Sequence, residues 1–416
     1  MEMVVIVLKC YFVFTIIIML LYTFRHIYFT LIRLYSRQKM GYTDIYDSDL
    51  PSLTVLIPMH NEEQVMDHIL KALLEVDYDK DKLEIIPIND HSTDHTKEIL
   101  DDYASKYPLI KPLHRSESER GKPVALNEGM ARANGDIIVV FDADYRPGKS
   151  VLKSLVMTFK NIEIGAVMGR VTPYNVNKNL LTKLLHLERS GGYQVDQQAR
   201  YSLNLIPQYG GTVGGFRKQV LLDTGGFDTC ILAEDTELTF RMYMKGYKVG
   251  YVNNCECYEE SPETWEMRGR QVRRWSRGHN QVMFRYVAPL IRSKQLNIEQ
   301  KIDGLFLLFI YMVPVVLFFG LISAVALFFL GEMEVFGGVW ALFFVMAYNS
   351  YGNFAPFYQI ATGALLDGMK HEIMLLPCMM FNFYFYLWHI TLGFKDAVVD
   401  LISRRQVKWD KTKRFS

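Results

Sequence analysis

Hydrophobic and polar positions divide the chain into apolar ends and a mixed middle. From Val4 to Ile32 almost every position is apolar, with Lys9, Arg25 and His26 as interruptions and no charge between Cys10 and Phe24. About 20 apolar residues cross a bilayer core, so this block is long enough to span one. A cleaved leader has a shorter apolar part followed by small residues. Here Arg25-His26-Ile27-Tyr28-Phe29 follows, which favours a retained helix over residues 1–35. Three further apolar runs, Ile302 to Leu330, Val335 to Ile360 and Ile373 to Phe394, occupy residues 302–397. Their length and succession favour a membrane over a buried core.

Arg33, Arg37 and Lys39 follow the first run, so the positive-inside rule puts the middle of the chain in the cytoplasm. The acidic turn Gly331-Glu332-Met333-Glu334 then falls outside. A basic tail over 398–416, with Arg404, Arg405, Lys408, Lys411, Lys413 and Arg414, also asks to be cytoplasmic, yet three full crossings would leave it outside. One run is therefore expected to re-enter or lie in the interface. The candidates are the second, broken by Asn349, Gly352, Asn353 and Pro356, and the third, interrupted by Pro377. An interfacial helix is expected over 286–301.

Residues 50–285 read differently. Leu53 to Pro58 is a short apolar run followed by a helix-like stretch from Glu63 to Glu75; a second strand, Leu83 to Asn89, precedes a helix from about His95 to Tyr107. A third apolar segment near Leu109 to Leu113, a helix from Lys122 to Ala133 and a strand from Asp136 to Phe141 complete the pattern. Strands alternating with helices predict an α/β domain with a mostly parallel sheet covered on both faces. The net charge of +1 gives no reason to expect nucleic-acid binding. The five cysteines are scattered, and the lone Cys255-x-Cys257 pair is a weak zinc signal.

Ligands of such sheets sit beyond the carboxyl ends of the strands. Asp90 closes the second strand and Asp142-Ala143-Asp144 closes the fourth, so residues distant in sequence can meet. A D-x-D pair offers two hard oxygen ligands to Mg²⁺ or Mn²⁺, which keeps open positions for diphosphate oxygens. In Leu232-Ala233-Glu234-Asp235-Thr236-Glu237, Glu237 suits the positive end of a helix dipole, whereas Asp235 suits a general base toward an acceptor hydroxyl. On a helix from about Pro262 to Asn280, Gln271, Arg274 and Trp275 share one face while Val272 and Arg273 point away. That face joins diphosphate donors to a flat aromatic surface. A basic helix lying on the membrane, given Arg268, Arg270, Arg273, Arg274 and Arg277, is the alternative.

Six segments in order then resemble the processive family 2 glycosyltransferases, the group of bacterial cellulose, poly-N-acetylglucosamine, chitin and hyaluronan synthases. They are Pro58 to Glu63, Asn89 to Asp94, Gly121 to Asn127, Asp142-Ala143-Asp144, Glu234-Asp235 and Gln271 to Trp275. The resemblance implies a GT-A fold, cytoplasmic at the inner membrane, with inverting transfer from UDP-N-acetylglucosamine or UDP-glucose to a growing β-linked polysaccharide. By position, Asp90 would bind the uridine with help from Glu62 and Lys122. Asp142 and Asp144 would hold nucleotide and metal, Asp235 would be the base, Gln271 and Arg274 would hold the diphosphate, and Trp275 would stack on the acceptor end. The stretch Gly210 to Arg217 resembles the family's acceptor segment, nominating Gly214 and Gly215 for close approach to a sugar; a tight turn is the other reading. The resemblance also implies membrane-lipid contact, export of the polymer as an exopolysaccharide of biofilm type, and accessory export or regulatory subunits. His60 departs from the family's aromatic residue, and the short tail leaves no room for a fused cyclic-di-GMP sensor. A non-processive relative that adds one sugar to a lipid carrier or glycolipid is the runner-up.

Overall fold

The computed structural model describes residues 2–36, 50–116, 119–332 and 354–403. Most of the second apolar run and the tail motif at Trp409 to Lys413 lie outside them. Eight strands form one sheet in the order β3-β2-β1-β4-β7-β6-β8-β5. They are β1 (Leu53–Met59), β2 (Leu83–Asp90), β3 (Leu113–Arg115), β4 (Ile137–Val140), β5 (Arg146–Pro147), β6 (Ile164–Pro173), β7 (Gly214–Arg217) and β8 (Lys248–Glu259).

Period-two alternation gives the sheet two buried faces. Val55, Ile57, Ile85 and Val139 enter one core, and Leu56, Ile86, Ile88, Ile138 and Val140 the other. The long helix α1 (Glu2–Tyr35) precedes the sheet. Helices α2 (Met66–Leu74), α3 (Thr96–Lys106), α4 (Lys122–Arg132), α5 (Val151–Met157), α6 (Leu180–Ser190), α7 (Gln198–Ser202), α8 (Lys218–Thr224) and α9 (Glu234–Met244) belong to the α/β body. In α2 the residues Met66, Ile69, Leu70 and Leu73 recur at helical spacing and cover the first core. It starts three residues later than its pattern predicts, because Glu63 is drawn to the neighbouring helix: its carboxylate accepts from the His95 N–H at 2.9 Å, at the cap of α3.

The sheet is mixed, which corrects the mostly parallel expectation. β3, β2, β1 and β4 are parallel, but β7 runs antiparallel to both β4 and β6, and β5 antiparallel to β8. The cause is where β7 begins. Gly214 pairs with Val140 at the carboxyl end of β4, so a chain arriving there can only run back across the sheet.

Among the described residues five helices close the chain: α10 (Trp265–Arg292), α11 (Ile298–Leu308), α12 (Val313–Phe329) and, further on, α13 (Ala355–Leu366) and α14 (Leu376–Ser403), with α10 packing along α14. Residues 286–301 are shared between the end of α10 and the start of α11. The helices over Glu2–Tyr35 and Glu372–Ser403 are long and apolar enough to cross a membrane; the pair α11 and α12, bent by 61° at Phe309 to Met312, makes a third if taken as one span. The break thus falls in the first C-terminal run, while the third, nominated in the sequence for its Pro377, is continuous: Pro377 sits in the opening turn of α14, where its missing N–H has no helical partner to lose.

Arg25, an interruption in the apolar pattern, explains how α1 docks. Its guanidinium donates to Asp303 Oδ1 of α11 at 2.9 Å and to Asp196 Oδ1 at 2.8 Å. Arg200 of α7 reaches the other oxygens of the same two aspartates, both at 2.8 Å. Both arginines are almost wholly buried, and Arg25 also lies over the Phe29 ring at 4.1 Å. At the far end Lys9 pairs with Glu332 at 2.7 Å, fixing α1 antiparallel to α12.

Removing one member of a buried charge cluster leaves its partners unpaired, at a cost of about 3–5 kcal/mol. Asp303→Asn is therefore expected to lower the melting temperature of the purified protein by several degrees. Lys97→Ala, which breaks only the exposed Lys97–Asp101 pair, should leave it unchanged. Equal melting of the two variants would remove the cluster from this role.

Candidate active site

A cavity of about 1130 Å³ opens beyond the carboxyl ends of β1, β2 and β4. It is lined by Glu62, Asp90, Lys122, Asp142, Asp144, Asp235, Gln271, Arg274 and Trp275, so nine residues nominated from the sequence meet at one place.

Asp90 is buried at the end of β2, where its carboxylate accepts from Arg115 Nη1 at 2.5 Å and from the Gly121 N–H at 2.9 Å. It thereby fixes the start of α4 and the residue that follows, Lys122. Lys122 donates to Asp142 Oδ1 at 2.6 Å and to the Gly211 carbonyl at 3.0 Å. Burial disfavours its charge, but the Asp142 and Glu234 carboxylates outweigh this and raise its pKa above the ordinary lysine value. Glu62 is buried at the same wall, its backbone N–H donating to Thr96 Oγ1 at 3.0 Å. His60 sits beside it, with Nδ1 2.8 Å from the Asp90 carbonyl oxygen and Nε2 2.6 Å from Arg120 Nη2.

Asp235 stands in the first turn of α9, and Thr236 N–H donates to its Oδ1 at 2.6 Å. Burial raises its pKa, while the Thr236 hydrogen bond and the charges of Lys122 and Arg274 hold it down. Glu234 is likewise raised, by burial, opposed by Lys122 and reinforced by the Asp235 charge. Glu237 is fully buried and structural: it pairs with Arg241 at 2.6 Å and accepts from the Tyr286 hydroxyl at 2.5 Å.

Helix α10 presents its face as the spacing predicts. Val272 packs with Val315 and Ile390, and Arg273 makes a bidentate pair with Asp396 at 2.6 and 2.9 Å, while Gln271, Arg274 and Trp275 face the cavity. Guanidinium groups of Arg268 and Arg189 lie 5.0 and 5.5 Å from the Trp275 ring centroid. Arg268 is paired with Glu188 at 2.6 Å and Arg189 with Glu259 at 2.7 Å.

Gly214 and Gly215 are not among the cavity's lining residues. They lie inside β7, and a Cβ on Gly214 would fall 2.1 Å from the Tyr209 ring. From the same stretch Gly210, Gly211 and Thr212 line the cavity. Gly211 has φ +82, and a Cβ there would stand 3.0 Å from Asp235 Oδ2. Sequence reasoning missed a whole wall, the π-helical stretch Gly191–Gln197 between α6 and α7, which brings Tyr193 and Asp196 to the cavity. The doubled glycine Gly191-Gly192 within an amphipathic run was the available signal. It also missed His279 and Tyr311, the latter at the bend between α11 and α12.

The carboxylate chemistry suits a divalent cation. Among the described residues no group of three or more His, Cys, Asp or Glu gathers around one point, so Asp142 and Asp144 would supply two hard oxygens and leave the other positions to diphosphate and water.

A curled mixed sheet with an acid pair after one strand and a further acid opening a helix on the same cavity defines the GT-A-like glycosyltransferases. The model of glycosyl transferase family 2 matches residues 54–223. A probable glycosyltransferase, YdaM of Bacillus subtilis (strain 168), is 33% identical over 375 residues, covering 88% of each chain. The beta-monoglucosyldiacylglycerol synthase of a Nostoc species is 29% identical over 365 residues, 87% of this chain and 76% of that one. Among solved structures, a mannosyltransferase of Pyrobaculum calidifontis in complex with GDP-Man and Mn²⁺ superposes with a TM-score of 0.58 at 21% identity, covering 91% of this chain and 97% of its own; this likeness is one of fold. The chain belongs to glycosyl transferase family 2 and is a glycosyltransferase.

The two glycine positions separate site from scaffold. Gly211→Ala pushes on Asp235, and misplacement by about 1 Å can cost about 100-fold in rate, so turnover should fall far more than the modest drop in melting temperature that an alanine at φ +82 brings. Gly214→Ala should instead lower the melting temperature through Tyr209. The reverse pattern would exchange their roles.

Proposed function

We propose that the enzyme transfers a single hexose from a nucleotide-diphosphate sugar to a hydroxyl of a membrane lipid, giving a β-linked glycolipid. The observation that carries this reading is the cavity's far wall. Gln271, Trp275 and His279 on α10 and Tyr311 at the bend of the apolar helices line the same cavity as Asp235. An acceptor hydroxyl presented from a lipid surface would reach the base without leaving the membrane. Similarity to beta-monoglucosyldiacylglycerol synthases over 87% of the chain favours this single transfer over the processive polymer that the six motifs suggest. The two guanidinium groups near Trp275 compete for the ring on which a polymer end would stack.

In this reading α1, the α11 and α12 pair and α14 hold the enzyme in the membrane with its catalytic domain cytoplasmic. The donor is a UDP-sugar, UDP-glucose or UDP-N-acetylglucosamine. Asp90, with Glu62 and Lys122, takes its nucleoside end, and Gln271 and Arg274 its diphosphate. Asp142 and Asp144 would hold Mg²⁺ or Mn²⁺, which when bound offsets the charge of the departing diphosphate. Asp235 accepts the proton of the acceptor hydroxyl as its oxygen bonds to the anomeric carbon and the bond to the diphosphate oxygen breaks. Attack opposite the leaving group inverts that carbon.

Purified enzyme in nanodiscs given labelled UDP-glucose, UDP-N-acetylglucosamine and GDP-mannose should make a chloroform-soluble product carrying one sugar. A long water-insoluble polymer would overturn the lipid reading. Asp235→Asn should lower transfer by about 100- to 10,000-fold while keeping nucleotide affinity; equal loss of both would remove it as base. Asp235 acts only when deprotonated, and its pKa is raised, so activity should fall as pH drops through a value above the ordinary aspartate range. Arg274 holds that pKa down, so Arg274→Gln should move this acid limb to higher pH; an unmoved limb would assign it to another group.

A further inference from the structure

Lys122 occupies ground that a divalent cation needs. Its ammonium lies 2.6 Å from Asp142 Oδ1 and 4.0 Å from Glu234 Oε1, with side-chain exposures of 15%, 27% and 11% for the three residues. Like charges repel strongly in a partly desolvated site, so a cation on Asp142 and this ammonium cannot share that carboxylate undisturbed.

We propose that Lys122 is a resident counter-ion which gives up Asp142 when a divalent cation enters, and that Glu234 is the carboxylate that receives it. The proposal rests on the reading of Asp142 and Asp144 as the cation site. Three observations carry it. Glu234 is already at the edge of ion-pair distance from the ammonium, so a rotation of the flexible lysine stem completes the transfer. The bond from Lys122 to the Gly211 carbonyl offers a fixed partner during that rotation. Glu234 does not gather with Asp142 and Asp144 into a three-carboxylate cluster, so its place is beside the lysine and not in a ligand shell. The charges also agree. Lys122 is within ion-pair distance of both Asp142 and Glu234, so moving it keeps Glu234 neutralised while the incoming ion takes over Asp142. Lys122 remains protonated throughout. Glu234 is thus a positioning residue for cation entry, a role separate from the base next to it.

The test is Mn²⁺ alone, titrated into full-length detergent-solubilised protein without donor and followed by the loss of the free-ion paramagnetic resonance signal. Lys122→Met should tighten Mn²⁺ binding by about tenfold, and Glu234→Gln should weaken it by a similar factor. In the Lys122→Met background Glu234→Gln should have no further effect, because the lysine it receives is gone. Lys122→Gln, which keeps a hydrogen-bond donor without the charge, should also tighten binding and guards against misfolding of the methionine variant; melting curves accompany each protein. Unchanged or weaker Mn²⁺ binding in both lysine variants would overturn the proposal. Equal weakening by Glu234→Gln in both backgrounds would overturn it too, by making Glu234 a direct ligand. Full Mn²⁺ binding by Asp144→Asn would defeat the cation-site reading itself, and the relay with it.

Discussion

Arg25, Asp196, Arg200 and Asp303 form a buried cluster of two positive and two negative charges, and the architecture hangs on it. Charges taken out of water are tolerable only when every one is matched. Matching them here requires α1, the π-helical stretch before α7 and α11 to meet at one point. Asp196 belongs at once to this cluster and to the cavity wall, so the docking of the apolar N-terminal helix is coupled directly to the shape of the active site.

A second constraint sets the chemistry. The carboxyl ends of β2 and β4 deliver Asp90, Asp142 and Asp144 to one cavity, and β7 turns back from the same point, bringing Gly211 against Asp235. Asp90 lines that cavity while its carboxylate holds Arg115 and the Gly121 N–H, and this sets the start of α4, from which Lys122 reaches Asp142. The opposite wall comes from α10, held along α14 by the Arg273–Asp396 and Arg277–Asp400 pairs. Acids on the sheet side therefore face an aromatic and basic surface built on the apolar helices. That opposition is what the proposed reaction, between a charged, water-soluble donor and an acceptor anchored in lipid, would use.

What the sequence disclosed follows from how local each signal is. Strand ends, the D-x-D pair, the acid in the first turn of α9 and the shared face of Gln271, Arg274 and Trp275 are set within a few residues, and the structure gathers them in one cavity. What escaped depends on distant partners. Arg25 looked like a flaw in an apolar run because Asp196 and Asp303 are far away in sequence. The π-helical wall has no periodic signature of its own. The antiparallel β7 cannot be told from a parallel strand by alternation alone, and the glycines at 210–215 divide into cavity and core only once Tyr209 is in place. The helix break at Phe309 to Met312 is as apolar as its flanks, so hydropathy passes over it.

The central claim is that the acceptor enters the Asp235 cavity from the apolar helices. The most direct measurement is photocross-linking with a diacylglycerol that carries a diazirine beside its free hydroxyl, in nanodiscs, followed by peptide mapping. The account predicts labelling on the segments holding Trp275, His279 and Tyr311, lost when unlabelled diacylglycerol competes. Labelling confined to the outer surfaces of α1 and α12, unaffected by competitor, would contradict it.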